Sequence, residues 1–252
     1  MLIKSRLDEQ LRQLAIDLDF VQHDPICVPH QFSTKEDIEI AGLLTALIAW
    51  GQRKQIISKA KTLMQLMDNA PFDFLLHATD REFSALQHFQ YRTFNGTDCH
   101  ALVHALAMIY RHHGGLEPIF TSGFKTGDAF EAISDFRNLM LHYPHLPRSE
   151  KHLANPKTGA AAKRINMFLR WMVRKDELGI DFGIWENIAP SALICPLDVH
   201  SGRAARKLNL LSRKQNDRKA AVELTNSLIA LDANDPVKYD LALFYMSVNS
   251  LL

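Results

Sequence analysis

Apolar positions along this chain recur at the helical period. Leu7, Leu11, Leu14, Ala15 and Leu18 fall on one face of a helix predicted over residues 5–20. Asp24-Pro25 and Pro29 then interrupt the pattern as a loop. Ser33 and Thr34 offer N-caps, with Glu36 and Asp37 placed as capping-box carboxylates. The helix they start runs through residues 41–50, is apolar enough to predict burial on most sides, and ends at Gly51. Further helices are predicted over residues 54–67, over a short segment opened by Pro71, over residues 98–113 with Leu102, Leu106 and Ile109 on one face and Gly114-Gly115 as the stop, and over residues 128–140. Residues 144–156 read as a basic, proline-containing connector. Helices follow over residues 159–175, from Asp198 to near Leu211, from Asp217 to Leu231, and from Pro236 to the C-terminus, with Asp235 as cap. Strand-like alternation is hard to find, and Asn95-Gly96 leads into a helical stretch rather than a strand. The pattern predicts an all-α protein.

Composition sets the scale of that fold. The 252 residues are 47% hydrophobic and 23% charged, enough to bury a core as a single globular unit over residues 1–252 with two helical lobes. The chain termini are expected to build one lobe and the middle helices the other. The net charge of +1 gives no global signature of nucleic-acid binding, so any such binding needs a local basic patch. Cys27, Cys99 and Cys195 are scattered, without a C-x-x-C pair, which suits free thiols in a reducing compartment. The charged first residues lack the apolar stretch of a signal peptide, and the run at residues 41–50 is too short to span a bilayer. A soluble, cytoplasmic protein with no membrane partner is expected.

Two elements carry candidate chemistry, both within residues 156–206. On the helix after Gly159, Met167, Arg170 and Arg174 lie within about 40° of Lys163 at about 100° per residue, while Ile165, Phe168, Leu169, Met172 and Val173 lie opposite. The polar side reads either as an ordinary solvated face or as a phosphate-facing stripe headed by a lysine. In Pro196-Leu197-Asp198-Val199-His200-Ser201-Gly202-Arg203, Asp198 reads as an N-cap, or as a carboxylate anion held by backbone N–H groups at the rim of a cleft. Arg203, Arg206, Lys207, Arg213, Lys214 and Arg218 follow as a basic cluster that would extend a binding surface. Trp50, Phe72, Phe74, Phe89, Phe94 and Phe168 read as core aromatics. Asp235 reads as a helix cap, with Asp240 as a remoter catalytic option.

These residues resemble those of a known family. Ala49-Trp50-Gly51-Gln52-Arg53-Lys54-Gln55-Ile56 resembles the early helix and glutamine-bearing turn of endonuclease III-like DNA glycosylases. Pro156-Lys157-Thr158-Gly159 followed by Lys163 resembles a helix-hairpin-helix with its downstream lysine, and the segment from Pro196 to His200 resembles the one carrying the family's aspartate. The wider lysine-to-aspartate separation is closer to archaeal 8-oxoguanine glycosylases. The hairpin departs from the usual pattern, with Lys157 and Thr158 standing where glycine and valine are common. The whole chain, including the segment from Lys163 to Arg174, also resembles a bacterial family of unknown function.

The glycosylase resemblance implies a two-lobed helix-hairpin-helix fold and a base-excision enzyme acting on double-stranded DNA, with a damaged base such as 8-oxoguanine flipped into a cleft. Lys163 would attack the sugar C1′ and Asp198 would stabilise the developing positive charge. Without a nucleophilic lysine, Asp198 would position water instead. Gln52 would fill the gap left by the base. The Lys157, Thr158 and Gly159 hairpin, with Arg53, Arg164, Arg170 and Arg203, would hold phosphates, and Trp171 or His200 would contact the base. No cysteine follows Cys195, so no iron–sulfur cluster is expected, and no other cofactor. Two other readings stay open: a non-catalytic nucleic-acid-binding protein that retains the fold, and an unrelated metal enzyme using His100 and His104 at i, i+4. No H-E-x-x-H occurs and no third ligand stands out, so no metal site is assigned.

Overall fold

The computed structural model describes residues 2–16 and 20–251; Leu18, placed above on the face of the first helix, lies outside them. The α-helices are α1 (Leu2–Ile16), α2 (Lys35–Leu47), α3 (Arg53–Gln65), α4 (Pro71–His77), α5 (Asp80–Ala85), α6 (Gly96–His113), α7 (Leu116–Thr126), α8 (Ala129–Met140), α9 (Lys163–Val173), α10 (Val199–Lys207), α11 (Arg218–Ile229) and α12 (Tyr239–Val248). Short 3-10 turns join several of them, including Pro147–His152, Pro156–Thr158 and Pro236–Lys238. Among the described residues there is no strand, only isolated antiparallel bridges such as Ala160–Asp217. No helix among them is long and apolar enough to cross a membrane.

The departures from the periodic pattern have local causes. Helix α5 is too short to show a period, and its signal is the capping box in which the Thr79 hydroxyl accepts from Glu82 N while Thr79 N donates to the Glu82 carboxylate. Helix α6 starts two residues before Asp98 because Asn95 is its cap, in a reciprocal box with Asp98. Helix α7 starts from Gly115, which makes no side-chain cap, and so escaped the pattern. Helix α2 stops at Leu47 rather than Trp50, and the Trp50 carbonyl instead accepts a hydrogen bond from Tyr91 Oη at 2.7 Å. Asp235 does not cap with its side chain. The segment after it opens as a 3-10 turn, and the Asp235 carboxylate accepts from Arg174 Nε at 2.8 Å.

The chain divides into two compact units, Val21–Ala154 and Met1–Phe20 with Asn155–Leu252. In the first, Leu43, Leu47, Leu63, Val103, Leu106 and Ile109 are at most 1% exposed, each contributing about 1.5–3 kcal/mol through burial. Of the aromatics, Phe74, Phe89 and Phe94 are buried, while Trp50 and Phe72 are half-buried. Helices α7 and α8 pack closely because Gly123 lacks a side chain: a Cβ there would lie 2.6 Å from Ala132 Cα. The basic connector is anchored rather than loose. Asp98, 0% exposed, accepts from Ser149 Oγ at 2.7 Å, lies 3.2 Å from His152 Nε2 and 3.2 Å from Arg148 Nη2. Burial alone would raise Asp98, but Ser149, the Asn95 amide, His152 and Arg148 together hold its carboxyl below the usual range.

In the second unit α9 is a deeply buried helix. Ile165, Phe168, Leu169, Trp171 and Met172 are at most 1% exposed, and Trp185 packs edge-on against Phe168. The expected solvated stripe is turned inward: Arg170 and Arg174 are 5% and 7% exposed. Arg170 Nη1 donates to Asp240 Oδ2 at 2.6 Å and Nε to Asp181 Oδ1 at 3.3 Å. Arg174 pairs with Asp176, Asp181 and Asp235 at 2.8–2.9 Å. Burial pushes the Asp181 carboxyl up, against the pull of the two guanidinium groups. Helix α1 joins α12 through Tyr239, whose hydroxyl accepts from Lys4 Nζ and donates to Asp8 Oδ1, both at 3.0 Å.

Two stability outcomes follow from this packing. Gly123→Ala is expected to lower stability by about 1–3 kcal/mol through overpacking, read as a lower thermal midpoint. An unchanged midpoint would mean that α7 and α8 can separate at no cost. Because the folded-state carboxyl of Asp98 is depressed, its stabilisation is present above its ordinary value of 3.8 and is lost as pH falls through the lower folded value. Asp98→Asn should therefore flatten the fall in chemical-denaturation stability on the acid side of that value, while lowering stability at neutral pH.

Candidate active site

The site begins with a strained turn. Ala162 holds φ +50°, the left-handed region that non-glycine residues avoid. Its carbonyl accepts from Asn166 N, and the Asn166 side-chain Nδ2 donates to the Ala161 carbonyl at 2.9 Å. This turn starts α9 at Lys163 rather than at residue 159, and puts Lys163 on the first turn at the rim of the unit, 28% exposed. Its Nζ donates to Met167 Sδ at 3.5 Å and lies 3.6 Å from Asp198 Oδ2.

Asp198 divides its two oxygens between two tasks. Oδ1 caps α10, accepting from His200 N at 2.8 Å and Ser201 N at 3.0 Å, while Ser201 Oγ accepts from Asp198 N at 3.0 Å. Oδ2 faces Lys163. The cap fixes the carboxylate in place, and Asn216 Nδ2 reinforces it by donating to the Asp198 carbonyl at 2.8 Å. The capping and rim readings of Asp198 are thus compatible, one for each oxygen.

Behind this pair stands a group that the sequence pattern left as a remote option. Asp240, on the first turn of α12, is buried, and burial is the largest influence on it. With Arg170 and Lys163 pulling down and Asp198 and Asp181 pushing up, its carboxyl is raised to about 7. Cys195, on the segment leading to Asp198, is fully buried, which pushes its thiol well up.

The other expected residues sort by exposure. His200 and Arg203 are exposed on α10, with the His200 ring 5.7 Å from that of Phe244. Arg170 is corrected from a phosphate ligand to a buried partner of Asp240 and Asp181. Trp171 is corrected as a base contact: it is 0% exposed, and its Nε1 has no hydrogen-bond partner among the described residues. Arg164 is half-buried, and burial pulls its guanidinium down to about 10.

The hairpin also differs from expectation. Lys157, Thr158 and Gly159 are exposed, but their amides are already used: Lys157 N donates to Asn155 Oδ1, Thr158 N to the Asn155 carbonyl and Gly159 N to the Pro156 carbonyl, at 3.0–3.2 Å. The segment upstream, Pro147–His152, is a 3-10 turn within the stretch read as a connector. The Gly159 carbonyl accepts from Arg218 N at 2.9 Å, which seats the hairpin against the start of α11. In the basic cluster, Arg206 donates to the Arg213 carbonyl and to Asn216, and Arg213 pairs with Asp217; Arg203, Lys207 and Lys214 remain exposed.

Gln52 and Arg53 belong to the Val21–Ala154 unit, where Gln52 precedes α3, is exposed, and makes no side-chain cap. His100 and His104 stack in parallel, 6.5 Å apart, each edge-on to Phe83. Among the described residues no group of three His, Cys, Asp or Glu side chains is placed to hold a metal ion.

No curated protein and no solved structure matches the chain. Residues 24–249 match the family described as Protein of unknown function (DUF2400). That match spans nearly the whole chain, and the protein belongs to the DUF2400 family.

Proposed function

We propose that this protein is a DNA base-excision glycosylase with lyase chemistry, acting on a damaged base such as 8-oxoguanine in duplex DNA and built on a two-lobed helix-hairpin-helix fold. The observation that carries the reading is the 3.6 Å approach of Lys163 Nζ to Asp198 Oδ2, each side chain about a quarter exposed at the rim. An amine nucleophile and a fixed carboxylate are the two groups that displacement at an anomeric carbon requires. Lys163 attacks C1′ of the flipped nucleotide once its nitrogen has lost a proton. The C1′–N bond breaks, the base leaves with the electron pair of that bond, and the sugar is held on nitrogen; the C1′–O4′ bond then breaks as nitrogen's pair forms C1′=N, and O4′ takes the proton that nitrogen sheds, which leaves an iminium. Asp198 supplies negative charge beside the sugar while positive charge develops on it. Its position is fixed in advance by the α10 cap, so little reorganisation is needed as that charge forms.

Nucleic-acid contact in this reading comes from exposed cations of the same unit. Arg203 and Lys207 on α10 and Lys214 on the following loop stand out to solvent, and Lys157 does so from the hairpin. They are point charges suited to phosphate neutralisation. The hairpin amides are used internally, so phosphate contact rests on side chains alone, and a second reading, a non-catalytic nucleic-acid-binding protein, needs no more than these exposed cations.

Borohydride trapping separates the two. Purified protein incubated with 8-oxoguanine, uracil, alkylated-base or abasic duplexes is expected to form a covalent adduct that Lys163→Gln abolishes. Asp198→Asn is expected to slow base release by about 100-fold or more. Base release without an adduct would make the enzyme monofunctional, relying on Asp198. Tight, salt-sensitive binding with neither adduct nor base release would establish the second reading. Arg203→Ala should weaken binding about equally for all sequences and reduce the salt slope by about 1. An unchanged slope would remove Arg203 from the interface.

A further inference from the structure

Lys163 Nζ is tied to an acceptor that carries no charge. Its only hydrogen bond among the described residues goes to Met167 Sδ, at 3.5 Å. The approach of Asp198 Oδ2 at 3.6 Å is an ion pair without a hydrogen bond, since a direct ammonium–carboxylate bond spans about 2.7–2.9 Å. Such a pair, between side chains that are each about a quarter exposed, holds a long side chain only weakly. Met167 is itself well held. It stands one turn after Lys163 on the same side of α9 and is 9% exposed, and its neighbours Asn166 and Phe168 are buried. The sulfur therefore sits on a rigid element, while the lysine it receives is among the side chains with most rotamer freedom to lose.

A nucleophile whose freedom is removed on folding does not lose it in the reaction. Sulfur suits that duty. A thioether is a weak, neutral acceptor, so it orients one N–H without adding a second anion beside Asp198. We propose that Met167 is a positioning residue for Lys163: its Sδ holds Nζ beside Asp198 through one N–H bond, which the neutral amine still donates while its lone pair is free for carbon. This rests on the reading of Lys163 as nucleophile. Met167 takes no part in making or breaking covalent bonds. The ordinary duty of a buried methionine is to fill space, and two variants separate that duty from positioning. Met167→Leu keeps an apolar side chain of similar volume and removes the acceptor. Met167→Gln keeps the length and supplies a carbonyl acceptor, with a polar group placed where the chain is buried.

The first test needs no DNA. NMR relaxation is measured on the full-length protein with carbon-13-labelled lysine, the Lys163 signal being assigned by its loss in Lys163→Gln. The order parameter of Lys163 Cε is expected to exceed that of the exposed Lys157, to fall toward the Lys157 level in Met167→Leu, and to stay near wild type in Met167→Gln. A space-filling duty predicts the reverse, with Leu close to wild type and Gln disturbed. An order parameter that is unchanged in Met167→Leu, or that is lost in both folded variants, overturns the proposal. The Met167→Leu result decides alone if Met167→Gln fails to fold.

The second test uses a duplex that gives a trapped adduct. With duplex saturating, Met167→Leu should slow single-turnover adduct formation by about 10-fold or more while duplex affinity is unchanged, and Met167→Gln should recover most of the rate. An adduct formed as fast in Met167→Leu as in wild type overturns the positioning role and leaves the glycosylase reading standing. The expected ordering pattern with no adduct on any duplex upholds the hold of Met167 on Lys163 and removes only the DNA substrate.

Discussion

The unit that carries the candidate site depends on one ionic arrangement, the sharing of Asp181 between Arg170 and Arg174. Two guanidinium groups, one in the last turn of α9 and one at its C-cap, are buried in an otherwise apolar setting, a state that is costly without close partners. Asp181 serves both, and Asp240, Asp235 and Asp176 complete the set. These acids come from the loop after α9, from the turn before α12 and from α12 itself. The charges therefore hold the position of α12 against α9. Removing one member would leave buried charge uncompensated, the most damaging way to disturb such a network.

That arrangement also accounts for what is left at the rim. Along the polar stripe of α9, Arg170 and Arg174 are neutralised internally, and Lys163 alone reaches partial exposure beside Asp198. The left-handed Ala162 puts the lysine at the helix start, where its side chain can leave the core. The cap on α10 holds Asp198 in place from the other side. A fixed carboxylate and a lysine at its edge, with a second carboxyl behind them, form a polar site whose supports are themselves well bonded.

Much of this was legible in local sequence signals. Asp198 caps the helix it was expected to cap, Asp217 and Asp128 cap helices predicted to begin with them, and Gly114 stops α6 in the left-handed conformation. The approach of Lys163 to Asp198 joins two residues selected from their own segments. The direction of the α9 stripe was not legible, because a helical period places residues on a face without saying what covers it. Seventy residues separate Arg170 from Asp240, and no local rule reaches across that distance. The role of Asp235 was misread for the same reason: Asp-Pro is a strong start signal, yet Arg174 claims the carboxylate. The hairpin amides were expected to be open, but Asn155 supplies acceptors that close the turn on itself.

The central claim is that Lys163 and Asp198 act as one unit on a nucleotide. A double-mutant cycle on single-turnover base release from the best duplex substrate tests it most directly, comparing wild type, Lys163→Gln, Asp198→Asn and the double variant. Groups that act together predict a double variant no slower than the slower single one. Losses that simply multiply, or a pair of single variants as fast as wild type, would contradict the account.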